Sequence, residues 1–311
     1  MAIRTAYSEK EIDQVVSDMK SQLGSFKPNF VVFFASAKYE PEEISRTMNE
    51  AFGPISVIGS STAGEIVSGR MLQNSVVAMF FDAETVADVS VAVAENIRAE
   101  DQVPAIFAGF ENHFKTPMAS MEIEKYVGLI LVDGLSGSEE RVMEKIGDLT
   151  DVIFIGGSAG DDLKFQRTYV YAGGKAYTNA ALLALIKVNH GFEVIKTQSF
   201  RSLGKTLVAT EVDEQARKVI TFNDKPAIDA YAEALGVNRG EAVNRFMTNP
   251  VGLVVGDDFY VRSPQQAQES SMIFYCNIRE GMELSVLESQ NIVEDTGKAV
   301  ESKMKEMEST S

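Results

Sequence analysis

The sequence predicts an α/β fold with two related halves in the N-terminal two-thirds of the chain and a smaller α/β region after them. Three observations support this fold: continuous apolar runs typical of buried strands, helical periodicity between those runs, and one order of elements that recurs along the chain. With 311 residues, the chain is long enough for two domains. Its 45% hydrophobic content predicts a sizeable core.

The first half begins with the apolar run 31–36, which is typical of a strand buried on both faces. Residues 42–51 have helical periodicity, and Pro41 precedes them at a favourable first-turn position. A short strand at 55–58 then leads into the turn Gly-Ser-Ser-Thr-Ala-Gly-Glu at 59–65. The predicted unit is therefore strand, helix, strand and a turn rich in Gly and Ser.

The same unit recurs further along the chain. Residues 127–133 form the strand, and 138–147 form a helix for which Ser138 is the expected N-cap. The strand 152–155 then leads into Gly-Gly-Ser-Ala-Gly-Asp at 156–161. Gly59 and Gly156 are separated by the same number of residues as Phe34 and Leu131, so the two units align without a gap. We infer a duplication.

The remaining segments complete the halves and the smaller region. We expect further strands at 76–81 and 181–186, and a hairpin formed by 206–210 and 218–222. After a boundary near 223–225, a helix spans 226–235 and ends at Gly236. A charged helix from about residue 292 to 307 closes the chain. The predicted organisation is an N-terminal helix within 1–28, a duplicated region at 29–222 with halves 29–125 and 126–222, and a C-terminal region at 223–311.

Charge and cysteine content exclude several classes of protein. A net charge of −16 disfavours attraction to nucleic acid or to anionic lipid. The single cysteine, Cys276, excludes an intramolecular disulfide and a Cys-rich metal site. No apolar run approaches the roughly 20 residues of a membrane-spanning helix, and the N-terminus does not resemble a signal peptide. We expect a cytoplasmic protein without membrane insertion.

The two turns rich in Gly and Ser are the candidate ligand-binding sites. Small residues let a ligand approach the backbone, and consecutive N–H groups suit a carboxylate. Hydroxyl groups add donors and acceptors, and we expect Glu65 and Asp161 to take a ligand ammonium group. The candidate residues are Gly59, Ser60, Ser61, Thr62, Ala63, Gly64, Glu65, Gly156, Gly157, Ser158, Gly160 and Asp161. The alternative is that both turns only reverse the chain.

Other chemistries have weaker support in the sequence. Gly59 and Gly64 have phosphate-loop spacing, but the Lys and Ser/Thr of that motif are absent. Residues 156–160 match the Gly-x-Ser-x-Gly nucleophile pattern, so Ser158 with His190 defines a hydrolase alternative. A nucleophile elbow leads into a helix, however, whereas 165–177 is predicted to be extended. Because the chain has only two histidines, we expect no multi-histidine metal site. Because none of these patterns forms a persuasive catalytic set, we also expect no catalytic residues.

Both turns and their flanking strands resemble the FIST family of sensory domains. Residues 58–66 are similar to the Gly-Ser/Cys-Ser-Thr-Ala-Gly-Glu turn of FIST domains, and 156–161 to the second turn of the family. Asn179 to Leu183 and His190-Gly191 resemble the strand and the His-Gly turn that follow. Residues 226–236 and 279–281 are similar to parts of the FIST C region. The resemblance covers about 29–290, in the order of the family.

The resemblance implies a sensory module that binds a small molecule, proposed for the family to be an amino acid, and no cofactor. Some members bind haem and sense nitric oxide, which makes His190 the alternative haem ligand. Family members act with histidine kinases, cyclases or chemotaxis proteins, so we expect such a partner. The C region of the family usually continues into a further strand. Because this chain ends at Ser311, we expect an incomplete or reduced C-terminal region.

Overall fold

The computed structural model describes residues 2–162, 164–256 and 258–310, and the chain divides into two compact units after Phe192. The strands of the first unit are β1 (Ile3–Ser8), β2 (Phe30–Ser36), β3 (Ser56–Thr62), β4 (Glu65–Val67), β5 (Arg70–Leu72), β6 (Val76–Phe81), β7 (Val86–Glu95), β8 (Tyr126–Val132), β9 (Phe154–Ser158), β10 (Val170–Ala172), β11 (Lys175–Tyr177) and β12 (Ala180–Val188). Its helices are α1 (Ile12–Leu23), α2 (Pro41–Phe52), α3 (Val103–Phe114) and α4 (Glu139–Leu149).

Two sheets of the first unit share one strand order. The first contains β1-β6-β2-β3-β10-β11 and the second contains β7-β12-β8-β9. In both sheets the second strand is antiparallel to the first and to the third, and the third strand is parallel to the fourth. The elements β1-α1-β2-α2-β3-β6 therefore match β7-α3-β8-α4-β9-β12 in order and direction.

These matching units have boundaries different from the predicted halves, 29–125 and 126–222. They begin at Ile3 and at Val86, because β1 and β7 occupy equivalent edges of the two sheets. The predicted N-terminal helical region thus also contributes a strand. The β10–β11 hairpin lies in the sequence of the second matching unit, the one that begins at Val86, but it pairs with β3 of the first sheet.

Four layers make up the first unit. The outer face of the first sheet packs against α1 and α2, and that of the second sheet against α3 and α4. The two inner faces meet in a cluster that contains Phe30, Ile58 and Leu182. Strand β12 is buried on both faces, since Leu183 faces the helices and Leu182 the other sheet. This explains the continuous apolar runs of the sequence.

Helix ends agree with the predicted signals except at α4. Helix α2 begins at Pro41, and the side chain of Glu40 accepts a hydrogen bond from the Glu43 N–H. The side chain of Ser138 makes no capping hydrogen bond to α4. Instead, its hydroxyl donates to the Ser136 carbonyl, at 3.4 Å. Ser138 therefore occupies the predicted N-cap position of α4, but its hydroxyl does not cap the helix.

In the described residues after Phe192, the second unit contains an eight-stranded sheet and three helices. Its strands are β13 (Phe200–Asp213), β14 (Lys218–Phe222), β15 (Lys225–Pro226), β16 (Val251–Val255), β17 (Asp258–Arg262), β18 (Pro264–Gln268), β19 (Ser271–Phe274) and β20 (Glu283–Ser289), and its helices are α5 (Ala227–Leu235), α6 (Arg239–Val243) and α7 (Ile292–Thr310). The predicted hairpin is present as β13–β14. Strands β13 and β14 both pair within this sheet. The boundary between the two compact units, after Phe192, therefore lies nearer the N-terminus than the predicted boundary near 223–225. Helix α5 ends at Gly236, which has the left-handed conformation expected of a C-cap glycine.

Among the residues that the structure describes, none of the helices combines the length and the apolar character needed to cross a bilayer.

Candidate functional site

A cavity of about 270 Å³ lies at the carboxyl ends of β2 and β3. These strands are parallel, so their carboxyl ends meet at one edge, where α/β proteins place ligands. The segment that follows β9 crosses to this edge and supplies part of the wall. The lining residues include Tyr39, Ser61, Asp161, Lys164, Arg167 and Tyr169. Ser61 and Asp161 are the two predicted site residues among them.

In the first turn, Gly59 and Ser60 lie within β3 and are buried. A Cβ atom at position 59 would collide with the Phe33 carbonyl on β2. The glycine at this position is therefore required by strand packing. Ser60 is 3% exposed and pairs with Val170 of β10. Neither residue lines the cavity.

Ser61 joins the two turns through hydrogen bonds at both ends of the segment 160–169. Its hydroxyl donates to the Gly160 carbonyl at 2.8 Å and accepts from the Tyr169 N–H at 2.9 Å. Its backbone N–H donates to the Tyr169 carbonyl, and its carbonyl accepts from the Gly160 N–H. Ser61 thus fixes both ends of the segment that carries the cavity wall, and its hydroxyl both donates and accepts a hydrogen bond within the protein.

Thr62 and Ser75 hydrogen-bond to the buried carboxylate of Glu65. The Thr62 hydroxyl donates to Glu65 Oε1 at 2.5 Å, and the Ser75 hydroxyl donates to Oε2 at 2.7 Å. The Ser75 N–H also donates to Oε2, at 3.2 Å. With its side chain occupied and the residue 2% exposed, Glu65 has a structural role. The prediction that it takes a ligand ammonium group has no support in this geometry.

The last two residues of the first turn differ in environment. Ala63 is exposed, and Gly64 is half-buried with φ of 152°, a conformation that favours glycine. Neither lines the 270 Å³ cavity.

The second turn begins on β9, the edge strand of its sheet. Gly156, Gly157 and Ser158 are exposed there and line neither the 270 Å³ cavity nor three other cavities of the first unit, of about 500, 550 and 620 Å³. A Cβ at Gly156 would collide with the Ile130 carbonyl, so this glycine has the same packing role as Gly59. The two turns therefore do not meet along their full lengths.

The two turns meet at Gly160, the residue before Asp161. A Cβ at position 160 would lie 3.1 Å from the Ala63 backbone nitrogen. This small residue lets the second turn approach the first closely enough for the hydrogen bonds with Ser61 to form.

Asp161 organises the loop that follows it. Its carboxylate accepts hydrogen bonds from the N–H groups of Phe165, Gln166 and Arg167, at 2.9, 2.6 and 3.1 Å. The residue is 6% exposed. Three backbone donors occupy a carboxylate that we expected to bind a ligand ammonium group. The same bonds fix the backbone of Arg167 at the cavity.

Arg167 is a cavity residue that the sequence interpretation missed. It is exposed, and its guanidinium group makes no hydrogen bond or ion pair with any residue the structure describes. Lys164 adds a second cation, 3.6 Å from Asp162. The cavity wall thus carries two cationic side chains, Lys164 and Arg167, while the Asp161 carboxylate is occupied by backbone donors. Such a wall favours an anion, above all a carboxylate that guanidinium binds through two oxygens.

Three tyrosines, Tyr39, Tyr169 and Tyr171, also line the cavity. Burial, with the charges of Glu11 and Glu65, raises the pKa of Tyr39 to about 12, so its phenol stays neutral. The Tyr39 hydroxyl donates to the Lys10 carbonyl at 2.7 Å. Tyr171 stacks on Phe33, with ring centroids 5.3 Å apart. The cavity thus offers aromatic surface beside cationic groups.

A second cavity of about 620 Å³ shares Gln166, Arg167 and Tyr169 with the first. Its wall contains Asp133, which the sequence interpretation also missed. Asp133 is 4% exposed, and its carboxylate accepts hydrogen bonds from the Thr168 hydroxyl and the N–H groups of Asn179 and Leu135. The sequence did hold a signal for Asp133, since an acidic residue directly follows a buried strand.

The hydrolase alternative has no geometric basis. Strand β12 is antiparallel to β8, and β8 is parallel to β9. Ser158 at the end of β9 therefore lies at the opposite end of the sheet from His190, which follows β12. The nearest acidic partner of the Ser158 hydroxyl is Glu139, at 3.4 Å. Strands β10 and β11 follow Ser158 where a nucleophile elbow requires a helix.

A haem or a metal also finds little support among the described residues. His190 is exposed and lines none of the four cavities, whereas a haem ligand lies in an apolar pocket. Within the described ranges, no three His, Cys, Asp and Glu side chains are grouped to hold a metal ion.

Comparison with protein families accounts for nearly the whole chain. The FIST N domain model matches residues 29–225, and the FIST C domain model matches residues 227–309. Comparison with curated proteins gives no match. FIST domains are sensory domains that bind small ligands in signal transduction, which points to a non-enzymatic role. Together the two matches span both compact units, and the chain therefore belongs to the FIST family.

Proposed function

We propose that this chain is a cytoplasmic sensor that binds an amino acid in the cavity at the carboxyl ends of β2 and β3. The observation that carries this proposal is the wall itself, in which the guanidinium of Arg167, which pairs with no residue that the structure describes, lines the same cavity as three tyrosines. Arg167 binds the α-carboxylate, and the tyrosine rings contact the ammonium group and the side chain. About 270 Å³ is below the volume of typical drug-sized sites, which suits a small solute.

Ligand binding couples the two halves of the first unit. One wall belongs to β2 and β3, and the other is the segment 160–169 that follows β9. A ligand that contacts both walls favours the arrangement in which they are close, which is a population shift. A partner protein detects this shift. The family assignment supports a histidine kinase, a cyclase or a chemotaxis protein as that partner.

A thermal-shift panel tests the ligand. It contains the amino acids, the matching carboxylic acids without the amino group, the matching amines, and haemin. A ligand at 100 times its dissociation constant stabilises the native state by about 2.7 kcal/mol. We expect an amino acid to raise the melting temperature more than its matching acid or amine. If only haemin does so, a haem sensor replaces this proposal, and His190 becomes the residue to substitute.

Substitution of Arg167 tests the site. Arg167→Met removes charge-assisted hydrogen bonds worth about 1.5–3 kcal/mol, so the dissociation constant rises about 10-fold to 150-fold. Arg141→Met is the matched control, since Arg141 is an exposed arginine on α4 that lines none of the four cavities. Equal affinities of the two variants would place the ligand elsewhere.

A further inference from the structure

Strand β9 leaves one edge of the second sheet open. Its equivalent in the first sheet, β3, carries β10 as an antiparallel neighbour. Strand β9 is the last strand of its sheet and has no such neighbour among the described residues. Its sequence, Phe-Ile-Gly-Gly-Ser, contains no proline and no charge, the features that normally protect an edge from pairing.

The backbone of β9 points alternate groups toward this open edge. The Ile153 carbonyl accepts from the Gly128 N–H of β8, and the Ala159 N–H donates to the Val132 carbonyl. The odd-numbered residues of β9 therefore face β8, because successive backbone groups alternate in direction along a strand. The N–H and carbonyl groups of Phe154, Gly156 and Ser158 point outward and are placed for another strand.

The sizes of the side chains along β9 and at Ile153 before it indicate which strand can pair with its open edge. Ile153 is 41% exposed and Ile155 is 49% exposed, and both lie on the face opposite Phe154. Two large residues, Ile153 and Phe154, precede Ile155, and two glycines follow it. An antiparallel copy centred on Ile155 opposes each large residue to a glycine, so the strand is complementary to itself in size.

We propose that β9 pairs antiparallel with β9 of a second copy of this chain, about a two-fold axis at Ile155. In this register Phe154 faces the partner's Gly156, and each such pair exchanges two N–H···O bonds. The Ile155 side chains meet at the axis as a non-hydrogen-bonded pair, the closer of the two pair types. The two four-stranded sheets become one continuous sheet, and the two-fold interface closes without further growth.

Disulfide cross-linking across the two-fold axis tests the proposed register directly. In a Cys276→Ser background, Ile155→Cys places two thiols across the axis, within the Cα separation of about 4.4–6.8 Å that a disulfide requires. Ile153→Cys is the matched control. It lies four residues from its own symmetry mate, roughly 13 Å along the strand, which is too far for a disulfide. We expect oxidation to cross-link the first variant and not the second.

Sedimentation velocity over a concentration series measures the association. We expect the 34.0 kDa chain to sediment as a dimer that tightens with ionic strength, because each copy carries a net charge of −16. Ile155→Lys places two like charges at the axis and raises the dimer dissociation constant more than tenfold. Ile66→Lys, at a 77% exposed position on β4, leaves it unchanged. Circular dichroism checks that each variant is folded.

Three outcomes would overturn the proposal. They are a monomer at every concentration, a dimer that Ile155→Lys leaves intact, and equal cross-linking of the two cysteine variants. The first would leave the β9 edge to a different protein, and the second would place the dimer interface elsewhere on the chain. None of these outcomes bears on ligand binding at Arg167, so the two proposals are tested independently.

Discussion

Ser61→Ala tests how the two turns of this family are joined. The substitution removes the hydroxyl that bridges the Gly160 carbonyl and the Tyr169 N–H, at 2.8 and 2.9 Å. Ser61 is 2% exposed, while Gly160 and Tyr169 are half-buried. Leaving a buried partner unsatisfied costs about 1–3 kcal/mol, and we take the lower part of that range for each. The expected loss in free energy of unfolding is about 2–4 kcal/mol.

The adjacent serine provides the control. Ser60 is 3% exposed, but its hydroxyl makes no hydrogen bond with any residue the structure describes. Ser60→Ala should therefore cost less than about 1 kcal/mol. For a unit of this size, 1 kcal/mol changes the melting temperature by about 2–4 °C. We expect Ser61→Ala to lower the melting temperature by about 4–16 °C, and Ser60→Ala by no more than a few degrees.

Urea denaturation followed by circular dichroism measures both variants, with calorimetry as the second method. Equal losses of stability in the two serine variants would refute the bridging role of the Ser61 hydroxyl. A larger loss for Ser60→Ala would show that β3 packing, rather than the contact between the turns, determines the serine at each position.

Two further predictions concern the strand glycines and the buried phenols. Gly156→Ala should destabilise the chain by about 1–3 kcal/mol, because its Cβ meets the Ile130 carbonyl, whereas Gly157→Ala should be nearly neutral, since no atom lies within 4 Å of its Cβ. Urea denaturation of the two variants compares them, and equal losses would contradict the packing role. The pKa of Tyr39 is raised to about 12, and burial also raises the pKa of Tyr171, so the unfolded chain releases these protons first. Stability should therefore fall as pH rises from 10 toward 12, by about 1.4 kcal/mol per pH unit for each tyrosine. Tyr39→Phe should make this fall less steep, and an unchanged slope would contradict the assignment.

The sequence was most informative where the physics is local. The α2 helix begins at the predicted Pro41, and α5 ends at the predicted Gly236, because caps and breakers act within one turn of a helix. The central strands were identified from apolar runs, since a strand buried on both faces needs apolar residues at successive positions. Gly59 and Gly156, which are as far apart in the sequence as Phe34 and Leu131, occupy equivalent positions in two sheets that share one strand order.

The candidate site was only partly visible in the sequence. Ser61 and Asp161 line the cavity, but both act on backbone groups, and Glu65 serves a buried polar cluster. Arg167 reaches the cavity because three backbone hydrogen bonds to Asp161 fold its loop. A loop closed by such contacts has no periodic pattern, so no local signal indicated Arg167.

The sequence by itself determined the central strands, the helices between them and the membership of the chain in its family, because these depend on residue patterns within short segments. The tertiary structure decided which strands are neighbours. Strands β10 and β11 follow β9 in the chain but pair with β3, and the matching units begin at Ile3 and Val86 rather than at residues 29 and 126. Strand pairing depends on complementary edges and faces that lie far apart in the chain. For that reason the cavity, the role of each turn residue and the open edge of β9 emerged only from the folded chain.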